Sequence, residues 1–171
     1  MYLKSLTITK AQALPLTKFI VLLSVATLLP AFIHLQYITG PIVNAILFIS
    51  AALLGVEAAI LIGLIPSLVA LSMGLLPAVL APMVPFIMVS NTIMIIIFAY
   101  FWQKNFWSGM IMASLLKFAF LFSASSLVIN LLLKKEIAAQ VAAMMSWPQL
   151  LTALTGGLIA LAFLKGIKKI S

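Results

Sequence analysis

From Phe19 to Gln103 the chain runs for 85 residues with Glu57 as its only full charge. An ordinary soluble domain charges about a quarter of its residues, whereas this sequence is 65% hydrophobic and 7% charged. Such a stretch has its natural solvent in a bilayer. A helix crosses ~30 Å of hydrocarbon with about 20 apolar residues. The 171 residues therefore leave room for about six crossings once tails and short links are set aside. The sequence predicts an all-α membrane protein, a single transmembrane domain over residues 1–171, built as a six-helix bundle.

The hydropathy pattern places the spans at about 16–35, 41–55, 57–74, 77–102, 107–133 and 147–165. Lys4, Lys10 and Lys18 ahead of an apolar run resemble a secretory signal, but no A-x-A site follows, so the segment reads as a retained first span. Lysine asymmetry sets the orientation. With the N-terminus inside, seven lysines (4, 10, 18, 104, 165, 168, 169) lie on the cytoplasmic side, against Lys134 and Lys135 outside. Both termini are thus expected in the cytoplasm, with the chain multi-pass in the cytoplasmic (inner) membrane.

What the chain lacks narrows its chemistry. It has no Asp, no Cys and no Arg, and His34 is its only histidine. Carboxylate dyads, thiol nucleophiles, Cys-ligated zinc and arginine phosphate clamps are excluded, and no glycine-rich G-K-[ST] loop is present to cradle a nucleotide. The reading is a non-enzyme with no cofactor and no metal. A net charge of +8 carried entirely by lysines, mostly at helix boundaries, speaks for membrane orientation and not for nucleic acid.

Small residues recur every four positions at Gly55, Ala59, Gly63 and Ser67, with a shorter row at Thr152, Gly156 and Ala160 and a single step at Thr27 and Ala31. In lipid such rows let another helix approach closely. They serve either packing inside the bundle or a groove for a separate membrane subunit. Three prolines at the start of span four, Pro77, Pro82 and Pro85, delay or kink that helix, which serves either helix packing alone or a pocket in its outer half.

Under the assigned topology His34, Gln36, Tyr37, Asn44, Asn130, Trp147 and Gln149 gather toward the outer face. A set of imidazole, amide and aromatic groups without a carboxylate suits hydrogen bonding and stacking around a small polar or heteroaromatic solute. The alternative is an interfacial belt of aromatics with solvated amides. Ser146-Trp147-Pro148-Gln149 reads as a helix start, with Ser146 and Gln149 in capping-box spacing. Lys117 falls near the midplane of span five, where an ionised lysine needs a partner, a cavity or a route to the surface. Asn91, helix-end carbonyls, a ligand carboxylate and snorkelling to the cytoplasmic edge are the candidates.

Six spans, the outer segment Gln36-Tyr37-Ile38-Thr39-Gly40-Pro41-Ile42-Val43-Asn44-Ala45, the proline-rich entry Leu76 to Pro85 and the helix start Ser146 to Leu150 together resemble a substrate-capturing S component of an energy-coupling factor transporter. The resemblance implies capture of a vitamin-like micronutrient from outside, and delivery with a transmembrane scaffold subunit and two ABC-type ATPases. It places the solute on His34, Gln36, Tyr37, Asn44, Asn130, Trp147 and Gln149, with Asn91 and Lys117 deeper. It also implies a scaffold contact through a small-residue pair on helix one, a spacing held here by Thr27 and Ala31 with Pro30 between them. Two other classes fit the same residues: an assembly subunit that uses only the small-residue rows, and a self-contained channel or carrier with Lys117 as its coupling charge.

Overall fold

The computed structural model describes residues 10–33, 35–72, 74, 78–132 and 135–170. Among these every regular element is helical. The α-helices are α1 (Lys10–Phe32), α2 (Gln36–Leu54), α3 (Val56–Ser72), α4 (Val84–Phe101), α5 (Phe106–Leu132), α6 (Lys135–Met144) and α7 (Trp147–Gly166), and a 3-10 helix at Ala78–Met83 precedes α4. Five helices are long and apolar enough to cross a membrane, which makes this a multi-pass membrane protein. The remaining apolar helix, α3, has 17 residues and at 1.5 Å per residue reaches about 25 Å, shorter than the hydrocarbon core.

Besides α1, which starts at Lys10, six residues before the expected boundary, the expected spans and the observed helices differ at three places, each for a local reason. Proline-rich sequence delays α4 to Val84: Pro82 sits in the 3-10 helix and Pro85 in the first turn of α4, where a missing N–H costs nothing. Helix α2 starts at Gln36, five residues before the expected boundary, because Pro41 is accommodated within its early turns. The third difference is α6, ten residues in what read as a plain outer link. Val141 and Met145, four apart, bury the inner face of this segment.

Helix α2 is the axis of the bundle. Every residue from Asn44 to Ala52 is buried, and α2 packs on α1, α3, α4 and, most extensively, α7. The α2–α7 crossing is close because α7 presents Gly156: a Cβ there would lie 2.7 Å from the Pro41 carbonyl oxygen and 2.9 Å from the Ala45 nitrogen. The row Thr152, Gly156 and Ala160 is buried, and the first two positions face α2. Ala59 and Gly63 of the α3 row also face inward, Gly63 against Leu47 and Ile95, while Gly55 is exposed in the α2–α3 turn at φ +88°, a conformation that favours glycine. Ser67 is half-buried, and the Thr27 hydroxyl donates to the Leu23 and Ser24 carbonyls of its own helix. Ala31 belongs to α1, with its side chain outside the described set.

Apolar burial falls into two clusters. The larger joins α2 to α1, α3, α4, the first turns of α5 and α7, around the edge-to-face pair Phe48 and Phe98. The smaller gathers Met83, Leu121, Val128, Val141 and Met145 from the 3-10 helix, the later half of α5, α6 and the residue following α6.

Helix ends separate two superficially similar signals. Asn105 caps α5, its Oδ1 accepting from the Trp107 N–H at 2.9 Å and the Ser108 N–H at 3.4 Å. The capping box expected at Ser146 does not form. Ser146 Oγ instead donates to the Ala143 carbonyl at 2.9 Å and Gln149 Nε2 to the Met144 carbonyl at 3.1 Å. Both side chains satisfy the end of α6, whose last carbonyls lack helical partners. Thermal unfolding in nanodiscs should show Asn105→Ala losing ~1 kcal/mol and Ser146→Ala less than ~0.5 kcal/mol; equal losses would contradict these cap assignments.

Candidate functional site

Helix α5 turns Met110, Ala113, Lys117, Leu121, Ala124 and Val128 inward, at the three- and four-residue spacing of one helical face. Lys117 is thereby carried on the buried stripe and is only 4% exposed. Its ammonium donates to Asn44 Oδ1 at 2.6 Å and to Asn91 Oδ1 at 2.8 Å. The snorkelling route to the cytoplasmic edge is not taken. Two amide oxygens inside the bundle are nearer and already desolvated, so the side chain has no reason to extend along the helix.

Each asparagine is fixed in turn from its other side. Asn91 Nδ2 donates to the Gly63 carbonyl at 3.0 Å, and the absence of a side chain on Gly63 lets α4 come that close to α3. Asn44 Nδ2 donates to Thr152 Oγ1 at 3.4 Å, and Thr152 Oγ1 donates to the Gln149 carbonyl at 3.1 Å. One network thus ties α2, α3, α4, α5 and α7 together. The amide orientations follow from it, since each oxygen faces an ammonium and each NH2 an acceptor.

The level of this polar layer follows from which residues touch. Gly40 meets Thr152, Asn44 meets Gly156, and Phe48 meets Gly157, so α2 and α7 run in the same direction. Lys117 joins Asn44 to Asn91 while Phe48 joins Phe98, which sets α4 parallel to both. Asn44, Asn91 and Thr152 are eight, seven and five residues from the starts of their helices. At 1.5 Å per residue they lie about 8–12 Å below one common end of the bundle. Lys117 reaches that level from α5, between Met110 of the larger apolar cluster and Leu121 of the smaller.

Of the residues expected to form a site, the structure brings together Asn44, Asn91 and Lys117. Tyr37 and Trp147 are 73% and 66% exposed, and Trp147 stacks on Phe118 at 5.6 Å between ring centroids. Gln149 is half-buried and occupied with the Met144 carbonyl. His34 lies outside the described residues, as do the side chains of Gln36 and Asn130. Thr152 joins the site unforeseen; its place on an inward-facing small-residue row, one turn from Gly156, was the available signal. Ser50 and Ser114 are buried hydroxyls without a hydrogen-bond partner, Ser114 one turn before Lys117 on α5. Near the start of α4, where a pocket was expected, an open groove of about 490 Å³ runs between α3 and α4, lined by Leu64, Pro85, Met88, Val89, Thr92 and Ile93. Thr92 apart, this lining is apolar and suits lipid chains better than a polar solute.

The arrangement holds a cationic donor among neutral acceptors. Such a layer binds and orients, and among the described residues it contains no nucleophile paired with a base. Compared with models of known protein families, with curated proteins and with solved structures, the chain matches none.

Proposed function

We propose that this protein is a membrane-embedded solute-capture subunit, of the kind that S components of energy-coupling factor transporters represent. Lys117 supports this reading more than any other observation: an ammonium held by Asn44 and Asn91 inside a membrane bundle, about 8–12 Å below one end. Ionisable groups at membrane depth are expensive, and their recurrent use is along solute and ion pathways. In this reading α3 completes six crossings and both termini are cytoplasmic. The common start of α2, α4 and α7 then faces outward, and a micronutrient-sized solute reaches the polar layer from that side. The 3-10 helix and α6, which lead into α4 and α7, lie at this end.

The chain itself performs no covalent step and needs no cofactor. It binds solute in one conformation and releases it in another, by as much as the two states differ in affinity. The free energy of release comes from partners: a transmembrane scaffold and two ABC-type ATPases.

A mild-detergent pull-down of the tagged chain from native membranes tests this directly. The expected result is co-recovery of a multi-span scaffold with two nucleotide-binding ATPases. Recovery of the chain alone, from membranes where such proteins are present, overturns the coupling. Solute flux through liposomes containing only this chain would replace capture with a self-contained carrier.

A further inference from the structure

We infer that the solute taken by this site carries an anionic group, a carboxylate or one of like charge and size, which pairs with Lys117 between Asn44 and Asn91. The inference rests on the solute-capture reading and adds to it the chemical class of what is captured.

Two observations lead there. The first is charge. Lys117 is 4% exposed, Asn44 and Asn91 are 3% and 4% exposed, and its two acceptors are both neutral amides. The whole chain has two carboxylate side chains. Glu57 stands exposed in the first turn of α3, and Glu136 belongs to α6. Among the described side chains no carboxylate reaches Lys117. Inside a low-dielectric bundle, neutral amides solvate a cation without cancelling its field, and a counter-anion supplies the missing part.

The second is proton count. An ammonium has three N–H donors. Among the described residues only Asn44 and Asn91 accept from Lys117, two bonds in all, which leaves the third donor for an incoming oxygen. The asparagines are in no position to take over this role or to compete for the ligand. Their NH2 groups are committed to Thr152 and to the Gly63 carbonyl, which holds their oxygens toward Lys117. A neutral or cationic solute would meet a positive centre whose nearest acceptors are already occupied. An anion meets its complement.

Formate is the smallest probe that carries the bare group, and formamide is its neutral counterpart of nearly the same shape. The full chain in nanodiscs is unfolded thermally while millimolar sodium formate replaces sodium isethionate, a bulkier anion without a carboxylate, at constant ionic strength, and in parallel with formamide. The expected result is a saturable rise in Tm, on the order of a few degrees, with formate and none with formamide. The rise should vanish in Lys117→Met, which removes the cation, and in Asn91→Asp, which supplies the counter-charge internally. No formate-specific rise in the unmodified protein overturns the inference, whether or not the two variants fold. A rise that persists in Lys117→Met overturns the placement. Failure here alongside recovery of scaffold and ATPases leaves solute capture standing with a neutral solute, whereas a formate response without those partners leaves the anion site and removes the transporter.

Discussion

Replacing Asn91 by leucine is expected to destabilise the bundle by about 2–4 kcal/mol, the sum of one charge-assisted and one neutral buried hydrogen bond. The side chain is of similar size, so most of the loss is polar. Asn91 accepts from Lys117 at 2.8 Å and donates to the Gly63 carbonyl at 3.0 Å, and leucine leaves a buried ammonium with a single acceptor. Adding Lys117→Met in the same background should therefore return part of the loss, because the stranded charge goes with it. Unfolding of both single variants and the double variant in bicelles closes a double-mutant cycle with an expected coupling of about 1–3 kcal/mol. Additive losses would mean that the two side chains touch without mutual stabilisation.

Gly156→Ala is expected to cost about 1–3 kcal/mol through overpacking at the α2–α7 crossing. What decides the sign is the identity of the atoms met. A Cβ at position 156 would lie 2.7 Å from the Pro41 carbonyl oxygen and 2.9 Å from the Ala45 nitrogen, and backbone cannot turn aside as a side chain can. Gly157 offers the contrast on the adjacent residue, since its nearest neighbour is the flexible side chain of Met110. Gly166, with nothing within 4 Å, is the neutral control. Thermal unfolding of Gly156→Ala and Gly166→Ala should separate by several degrees, and equal Tm values would contradict the close crossing. Pushing α7 away also moves Asn44 and Thr152, so solute binding should fall together with stability in Gly156→Ala.

The helices that carry long apolar runs were legible from the sequence because hydropathy over 20 residues answers directly to the bilayer. Lys117 as a buried anomaly with Asn91 among its partners was legible for a related reason: a charge at membrane depth demands compensation, and few polar groups are available. Asn44 was legible as a site residue, but not at its true depth. Counting from Pro41 put it just inside a helix, whereas a start at Gln36 sinks it by more than a turn, to the level of Lys117. The misassigned cap at Ser146 has a single source. Because Lys134, Lys135 and Glu136 leave no membrane-length apolar run between 133 and 147, no span is expected where α6 forms. Its terminal carbonyls, which claim both Ser146 and Gln149, were missing from the competition. Local capping rules hold only when every nearby helix end has been found.

The polar layer also changes how the molecule comes apart. Apolar side chains transmit cooperativity by continuous contact, and here the contact is divided at Lys117 between the Phe48–Phe98 cluster and the smaller one around Met83, Leu121 and Val141. At that level α2 and α4 are bonded to α5 through one ammonium, and a solute group or water can replace such directional bonds one at a time. Sub-global opening of the smaller cluster can then proceed while the larger stays intact. Amide protons in α6 should exchange in a separate and faster class than those of the second half of α2. The charge that makes the interior expensive also divides the apolar packing of the bundle into two clusters that can open separately.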